Sequence, residues 1–240
     1  MTTEQQSKYH DVERQKILQV GQISLWSDEG KPGLEYLRDK RHLSDEVIKK
    51  FRIGYCPREV NHRLAGRIIM PCFDAHDNLV ALSTRDFNAP KKYQHWHESF
   101  DKSNYLYGIN VAKKAIRWAD KAIVVEGQFD VKCLHSYGLP MTVGLFGTNL
   151  SIMHIAMLAR YCSEIYVVFD PKQREGDVSG AEGVSRAIQL YHDYCLSTYG
   201  LHFIPVSLPE QLDPDEHIFK HGKDAFTRLL DKRRNEIIYG

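Results

Sequence analysis

Acidic side chains follow the apolar segments in the second half of this chain. Six of them could act together: Glu126, Asp130, Asp170, Asp177, Asp213 and Asp215. Carboxylate oxygens are the ligands that Mg²⁺ and Mn²⁺ prefer, whereas His and Cys select softer metals. Bound divalent cations can activate a hydroxyl and neutralise phosphate charge, so the set suits phosphoryl transfer. For any single Asp, capping a helix or lying in a solvated loop is the alternative interpretation.

An alternation of strands and helices would bring these acids to one place. The predicted strands are Ala122–Val125, Met141–Phe146, Glu164–Phe169 and His202–Val206, and the predicted helices are Gln128–Tyr137, Ser151–Tyr161, Gly180–Tyr194 and Glu216–Ile238. Apolar strands that alternate with amphipathic helices predict a parallel sheet covered on both faces. The carboxyl ends of such strands share one edge, where open α/β sheets bind their ligands.

The first half of the chain has a different pattern. Two short helices are predicted over 34–41 and 45–51, the second capped by Ser44. The predicted strands are Ile53–Cys56, Arg67–Asp74 and Leu79–Arg85, which indicate antiparallel β-structure. Between Lys91 and Tyr107, basic residues are interleaved with aromatic ones, as in proteins that bind single-stranded nucleic acids. A hairpin with an aromatic core and solvated lysines would give the same pattern.

Charge is distributed unevenly along the 240 residues, although the net charge is only +1. Residues 1–118 hold 20 Lys and Arg against 15 Asp and Glu, and residues 119–240 hold 12 against 16. A basic half beside an acidic half fits nucleic acid on one side and metal ions on the other.

The sequence contains no apolar run near the length of a membrane span, and its polar N-terminus does not resemble a signal peptide. Its five cysteines form no Cys-x-x-Cys pair, so we expect no structural zinc and reduced thiols. We therefore expect a cytoplasmic protein that makes no contact with a membrane.

The run Val124-Val-Glu-Gly-x-x-Asp130, followed by a strand that ends in an acid, resembles the signature of the Toprim domain. Further motifs, in the same order, resemble the catalytic core of DnaG-type primases of bacteria and phages. They are Tyr36-Leu37 with Arg41-x-Leu43, Phe51-Arg-Ile-Gly-Tyr-Cys-Pro57, Arg67-Ile-Ile-Met-Pro-Cys-Phe-Asp74 with Arg85, Lys92-Tyr93, Phe100-Asp-Lys102, Leu106-Tyr107-Gly108, Leu145-Phe-Gly147-Thr148 and Asp213-Pro-Asp215. The resemblance covers roughly residues 34–222.

The resemblance implies an α/β fold in which a Toprim domain with a parallel, Rossmann-like sheet follows a smaller, basic, mixed α+β subdomain. The expected segments are an N-terminal arm over 1–33, the basic subdomain over 34–118, the Toprim domain over 119–222 and a C-terminal helix over 223–240.

The resemblance also implies roles for individual residues. Mg²⁺ or Mn²⁺ would be held by Glu126, Asp130, Asp170, Asp177, Asp213 and Asp215, of which Glu126, Asp170 and Asp177 are the expected catalytic residues. Template phosphates or the triphosphate would contact Arg41, Arg85, Lys92, Lys102 and Tyr93.

The implied function is synthesis of short RNA primers on single-stranded DNA from nucleoside triphosphates by metal-dependent nucleotidyl transfer. A replicative helicase or a separate template-recognition module is a further candidate partner. The alternatives are a Toprim nuclease and a catalytically silent module that binds single-stranded DNA.

Two features depart from the family pattern. The family's two central acids are close together, whereas Asp170 and Asp177 are separated by 171–176. We expect an inserted loop with Asp177 as the second ligand. The family's N-terminal zinc-binding module is not in this sequence, nor is a helicase-binding region, which suggests a phage or mobile-element protein or an excised core.

Overall fold

The structure is a computed structural model that describes residues 3–88, 93–96, 100–169, 189, 192–193 and 200–239. For residues 3–9, 93–96 and 169, only the backbone is described. The chain divides into two compact units, Met1–Phe100 and Asp101–Gly240. In the described part of the chain, no helix combines the length and the apolar character that crossing a bilayer requires.

The first unit is built on an antiparallel sheet with the order β1-β2-β3-β4. Its strands are β1 (Gly54–Tyr55), β2 (Ile68–Phe73), β3 (Leu79–Arg85) and β4 (Tyr93–Trp96), and its helices are α1 (Thr3–Ser24), α2 (Lys31–Glu35) and α3 (Asp45–Lys50). The predicted antiparallel structure is confirmed. The helix predicted over 34–41 differs, because α2 ends at Glu35 and the backbone continues as a π-helical turn over Tyr36–Lys40.

Local side-chain bonds explain where these elements begin and turn. The Ser44 hydroxyl accepts a hydrogen bond from the backbone N–H of Val47 at 3.3 Å, which caps α3 as predicted. Between β2 and β3, the Asp74 carboxylate accepts bonds from the backbone N–H groups of His76 and Asn78. An Asp side chain that bonds the backbone in this way stabilises a tight turn.

Helix α1 lies very close to the sheet of the first unit. A Cβ atom on Gly54 would lie 2.7 Å from the backbone carbon of Gly21, and one on Gly21 would lie 3.2 Å from the Tyr55 carbonyl. Two glycines therefore let the helix backbone approach the strand backbone. The core beneath them consists of Ile17, Leu18, Cys56, Leu64, Ile69, Phe73 and Leu82.

The second unit contains a parallel sheet with the order β6-β5-β7-β8. Its strands are β5 (Lys121–Val125), β6 (Thr142–Gly144), β7 (Glu164–Phe169) and β8 (His202–Ser207). Its described helices are α4 (Ile109–Ala119), α5 (Gln128–Ser136), α6 (Ile152–Leu158) and α7 (Pro214–Ile238), and the last is kinked at Gly222. The predicted parallel sheet is confirmed, while the helix predicted over 180–194 lies largely outside the described residues.

The central strands of this sheet are buried because they are continuously apolar. Ile123, Val124, Val125, Val167 and Val168 have no measurable exposure. Such strands fit a sheet that is covered on both faces. Strand β6 is shorter than the predicted 141–146, and Phe146, two residues after its end, adopts a left-handed conformation with φ of 60°.

We expect Gly54→Ala to destabilise the protein by about 1–3 kcal/mol, because its methyl group would overlap the α1 backbone. Urea unfolding of the variant measures this loss. Gly21→Ala is the matched control, since its contact is looser and alanine favours the helix. An equal or larger loss from Gly21→Ala would contradict the packing described for this pair.

Candidate active site

Strand register places the ends of three strands of the parallel sheet side by side. Val125 is level with Val168, and Val168 is level with Val206. Glu126 follows directly after β5, so it begins the loop at the carboxyl edge. Its own backbone carbonyl accepts a hydrogen bond from the N–H of Gly147 at 3.2 Å, which ties that loop to the segment after β6.

Asp130 lies in the first turn of α5 and bends back over the loop before it. Its Oδ2 accepts a hydrogen bond from the backbone N–H of Gly127 at 3.1 Å, which closes a capping box. A Cβ atom on Gly127 would lie only 2.3 Å from that oxygen. Glycine at 127 thus allows Asp130 to take this position beside Glu126.

Asp213 and Asp215 lie at the start of α7, six and eight residues after the end of β8 at Ser207. Asp213 is the N-cap residue of α7, and its backbone N–H donates to the Glu216 carboxylate at 3.3 Å. The Asp215 Oδ1 accepts from the N–H of Glu216 at 2.9 Å. Asp213 thus occupies the N-cap position, where the Glu216 carboxylate bonds its backbone, and Asp130 is bonded in the equivalent way to Gly127.

Capping and metal binding are compatible, since a carboxylate has two oxygens and about four lone-pair sites. The donors present are oxygens of carboxylates, which suit Mg²⁺ or Mn²⁺ and not a zinc site. Asp170 and Asp177 lie outside the described residues, and among the remainder no three His, Cys, Asp or Glu side chains form a metal-binding group. The described acids have the ligand chemistry of such a centre, and their assembly into one centre is a proposal.

In the first unit, the described cationic residues predicted to bind nucleic acid differ in exposure. Arg41 is half-buried, its Nε donates to the Tyr36 hydroxyl at 2.9 Å, and its guanidinium lies 5.6 Å from the centre of the Tyr36 ring. Arg85 ends β3 and is 5% exposed. Tyr93 is paired with Arg85 through the backbone, and Lys92 lies outside the described residues.

Lys102 is exposed and lies in a 3₁₀ turn over Lys102–Asn104 of the second unit. The buried His154 anchors this turn, because its Nε2 lies 2.9 Å from the Lys102 carbonyl and 3.0 Å from the Tyr105 carbonyl. Its Nδ1 accepts from the N–H of Ser151 at 3.2 Å. These bonds assign the proton of the neutral ring to Nε2.

Sequence reasoning missed His154 and Lys132. Lys132 has no exposed surface, and its Nζ lies 4.8 Å from the centre of the Tyr107 ring and 4.6 Å from that of Phe129. A lysine or a histidine inside an amphipathic helix gives no signal of burial by itself. The interruption of an otherwise apolar helix face is the one sequence feature that could have identified either residue.

The buried cysteines are poor nucleophiles, because a thiol must ionise to react. Burial raises the pKa of the Cys56 thiol to about 11 and that of the Cys162 thiol to about 12. Neither thiol is therefore suited to act as a nucleophile.

Comparison with known proteins identifies the fold. Residues 120–198 match the Toprim domain family. The chain also superimposes on a solved DnaG catalytic core with a TM-score of 0.80 and 26% sequence identity, covering 92% of this chain and 79% of that one. This chain carries a Toprim domain and resembles the catalytic core of DnaG-type primases.

Curated relatives that align with most of this chain support the same assignment. The DNA primase of Rickettsia typhi is 30% identical over 233 residues, covering 83% of this chain and 38% of the relative. The DNA primase of Staphylococcus aureus is 31% identical over 246 residues, covering 88% and 39%. A solved DnaG primase catalytic domain bound to single-stranded DNA matches with a TM-score of 0.77, 26% identity, and coverage of 92% and 82%. The chain spans a little over a third of the curated relatives that it matches.

We expect Gly127→Ala to displace Asp130 in the Toprim domain and to cost about 1–3 kcal/mol of stability. A double-mutant cycle with Asp130→Ala, followed by urea unfolding, checks the cause. The alanine at 127 should cost much less when Asp130 is already alanine, because the overlapping carboxylate is gone. Equal costs in both backgrounds would contradict the proposed overlap.

The stability of the second unit should fall as the pH drops below about 6.5, the usual pKa of histidine. Burial lowers the pKa of His154, although its bonds with the Lys102 and Tyr105 carbonyls raise it. The unfolded chain therefore binds this proton more readily, so the neutral ring stabilises the fold fully above about 6.5.

The measurement is the free energy of unfolding at pH 7.5 and at pH 5.5. His154→Gln should lower stability at pH 7.5 and reduce the difference between the two pH values, while the exposed His76→Gln serves as the control. An unchanged pH dependence in His154→Gln would contradict the assignment.

Proposed function

We propose that this chain is the catalytic core of a DNA primase, which makes short RNA primers on single-stranded DNA. The observation that carries the proposal is the strand register that brings the carboxyl ends of β5, β7 and β8 to one edge of the sheet, where Glu126 follows β5 directly. The likeness to the primase cores supports it. Because the matched primases are much longer than this chain, the remaining parts of their activity and their partners are part of the proposal.

The proposed centre consists of Glu126, Asp130, Asp170, Asp177, Asp213 and Asp215. These residues would hold Mg²⁺ or Mn²⁺, which supplies Lewis acidity toward the phosphates and the attacking hydroxyl. In the reaction, the 3′-hydroxyl oxygen forms a bond with the α-phosphorus of the incoming nucleotide. The bond from that phosphorus to the bridging oxygen breaks, pyrophosphate leaves, and the hydroxyl proton passes to solvent.

The proposed protein contribution is positioning and electrostatics, with no covalent intermediate. Arg41, Arg85, Lys92 and Lys102 would neutralise template or triphosphate charge, and Tyr93 would stack on a base. For Lys102, the bond from His154 to its backbone carbonyl holds the turn from which this exposed side chain extends. We further propose that a template-recognition module or a replicative helicase acts together with this core.

The test is incorporation of labelled ribonucleotides on single-stranded DNA with Mg²⁺ or Mn²⁺. Glu126→Gln should reduce the rate roughly 100-fold or more, since losing a metal-binding carboxylate removes several kcal/mol of charge stabilisation. The exposed Asp224→Asn in α7 is the matched control and should retain activity.

Template-dependent RNA that is lost only in Glu126→Gln would support the primase. DNA cleavage with the same dependence on Glu126 would favour the Toprim nuclease. Binding of DNA without either reaction, in both Glu126→Gln and the parent protein, would favour a silent binding module.

A further inference from the structure

The second unit carries exposed cationic and aromatic side chains away from the proposed active site. Arg117 and Trp118 follow Lys114 in α4 by three and four positions, so both lie beside Lys114 on the helix surface. All three are exposed, and Trp118 is 90% exposed. An exposed aromatic ring among cations is the combination that proteins use to bind single-stranded nucleic acids.

Two residues that follow α6 extend this surface. The Arg117 guanidinium lies 5.3 Å from the centre of the Tyr161 ring, and Arg160 beside it is exposed. We call the surface formed by Lys114, Arg117, Trp118, Arg160 and Tyr161 the α4 patch. The patch combines three cations with two aromatic rings, which lie on the C-terminal half of α4 and directly after α6.

The acids that adjoin the α4 patch in the chain are engaged elsewhere. The Asp120 carboxylate accepts from the backbone N–H of Ser163 at 2.8 Å and from the Ser163 hydroxyl. The Glu164 carboxylate accepts from Arg234 at 2.7 Å and from the Tyr166 hydroxyl at 2.9 Å. These bonds orient both carboxylates toward their own partners, so the patch keeps a cationic character.

The α4 patch lies at the amino edge of the parallel sheet. Helix α4 ends at Ala119, just before β5 begins at Lys121, and Tyr161 precedes β7 by three residues. Glu126 and the other acids belong to the opposite, carboxyl edge. The five residues of β5 separate the two edges by about 16 Å, so the patch is distinct from the proposed centre.

We propose that the α4 patch binds single-stranded nucleic acid at a second site, with an unpaired base stacked on Trp118. Aromatic faces accept any base, and cations spaced along the surface follow the phosphate backbone. Arg117, Lys114 and Arg160 are placed to contact phosphates around the stacked base. If the chain is a primase core, the ligand would be the part of the template strand that extends beyond the active site. The inference rests on the proposed function for this identity of the ligand alone.

The first test observes Trp118 directly. In a protein with Trp26→Phe and Trp96→Phe, Trp118 is the only tryptophan left, and its fluorescence is followed during titration with oligo(dT). Stacking predicts saturable quenching that weakens as salt is added. Binding seen by anisotropy of a labelled oligonucleotide without any change in tryptophan emission would overturn the proposal.

The second test measures affinity for the same oligonucleotide without nucleotides, in the Glu126→Gln background. Trp118→Ala should weaken binding roughly 5- to 100-fold, the loss of one stacked base. Arg117→Gln should reduce the slope of log affinity against log salt by about 0.7, the loss of one phosphate contact.

Lys232→Gln, an exposed lysine of α7, is the matched control and should bind like the parent protein. Unchanged affinity for the oligonucleotide in Trp118→Ala would overturn the proposal. A variant that alters the self-association of the protein, with no change in its affinity for the oligonucleotide, would overturn it as well. Because the assay needs no primer synthesis, its outcome is independent of whether the chain polymerises ribonucleotides.

Discussion

The parallel pairing of β5 with β7, and of β7 with β8, is the constraint on which the second unit depends. Backbone hydrogen bonds hold Val125, Val168 and Val206 at one level, so the chain leaves the sheet three times at the same edge. The strands can pair in this way because they are apolar on both faces and can be buried completely. A shift of one residue in any strand would turn its buried side chains to the opposite face.

Acids at that edge also complete the structure of the loops that present them. Asp130 closes on the N–H of Gly127, and Glu216 closes on the N–H of Asp213. Both bonds satisfy backbone donors that the first turn of a helix leaves without partners. In the proposed centre, the same type of residue would therefore hold the loops and bind metal, so that the carboxylates would be in place before an ion binds. Side chains that are already ordered before a ligand binds lose less conformational entropy on binding.

Charge is separated along the direction of the strands in this unit. The carboxyl edge leads into acids, whereas the amino edge carries the α4 patch with Arg117 and Arg160 exposed. A polyanion would be repelled by the first edge unless cations were bound there, but it would be attracted to the second edge without them. This separation agrees with the two proposals, in which the carboxyl edge would meet the reacting phosphates and the α4 patch an unpaired strand.

The sequence by itself predicted most of the strands and helices of this protein and suggested the chemistry that is proposed for it. The strands over 79–85 and 164–169, the Ser44 cap and the acids after apolar strands all follow from local pattern, because periodicity and capping depend on neighbours in the chain. Only the tertiary structure decided the order β6-β5-β7-β8, the close approach of Gly21 and Gly54, the burial of Lys132, and the exposure of Trp118 beside Arg117. These features depend on contacts between distant segments, and a pattern shows that a face is apolar without showing which segment covers it.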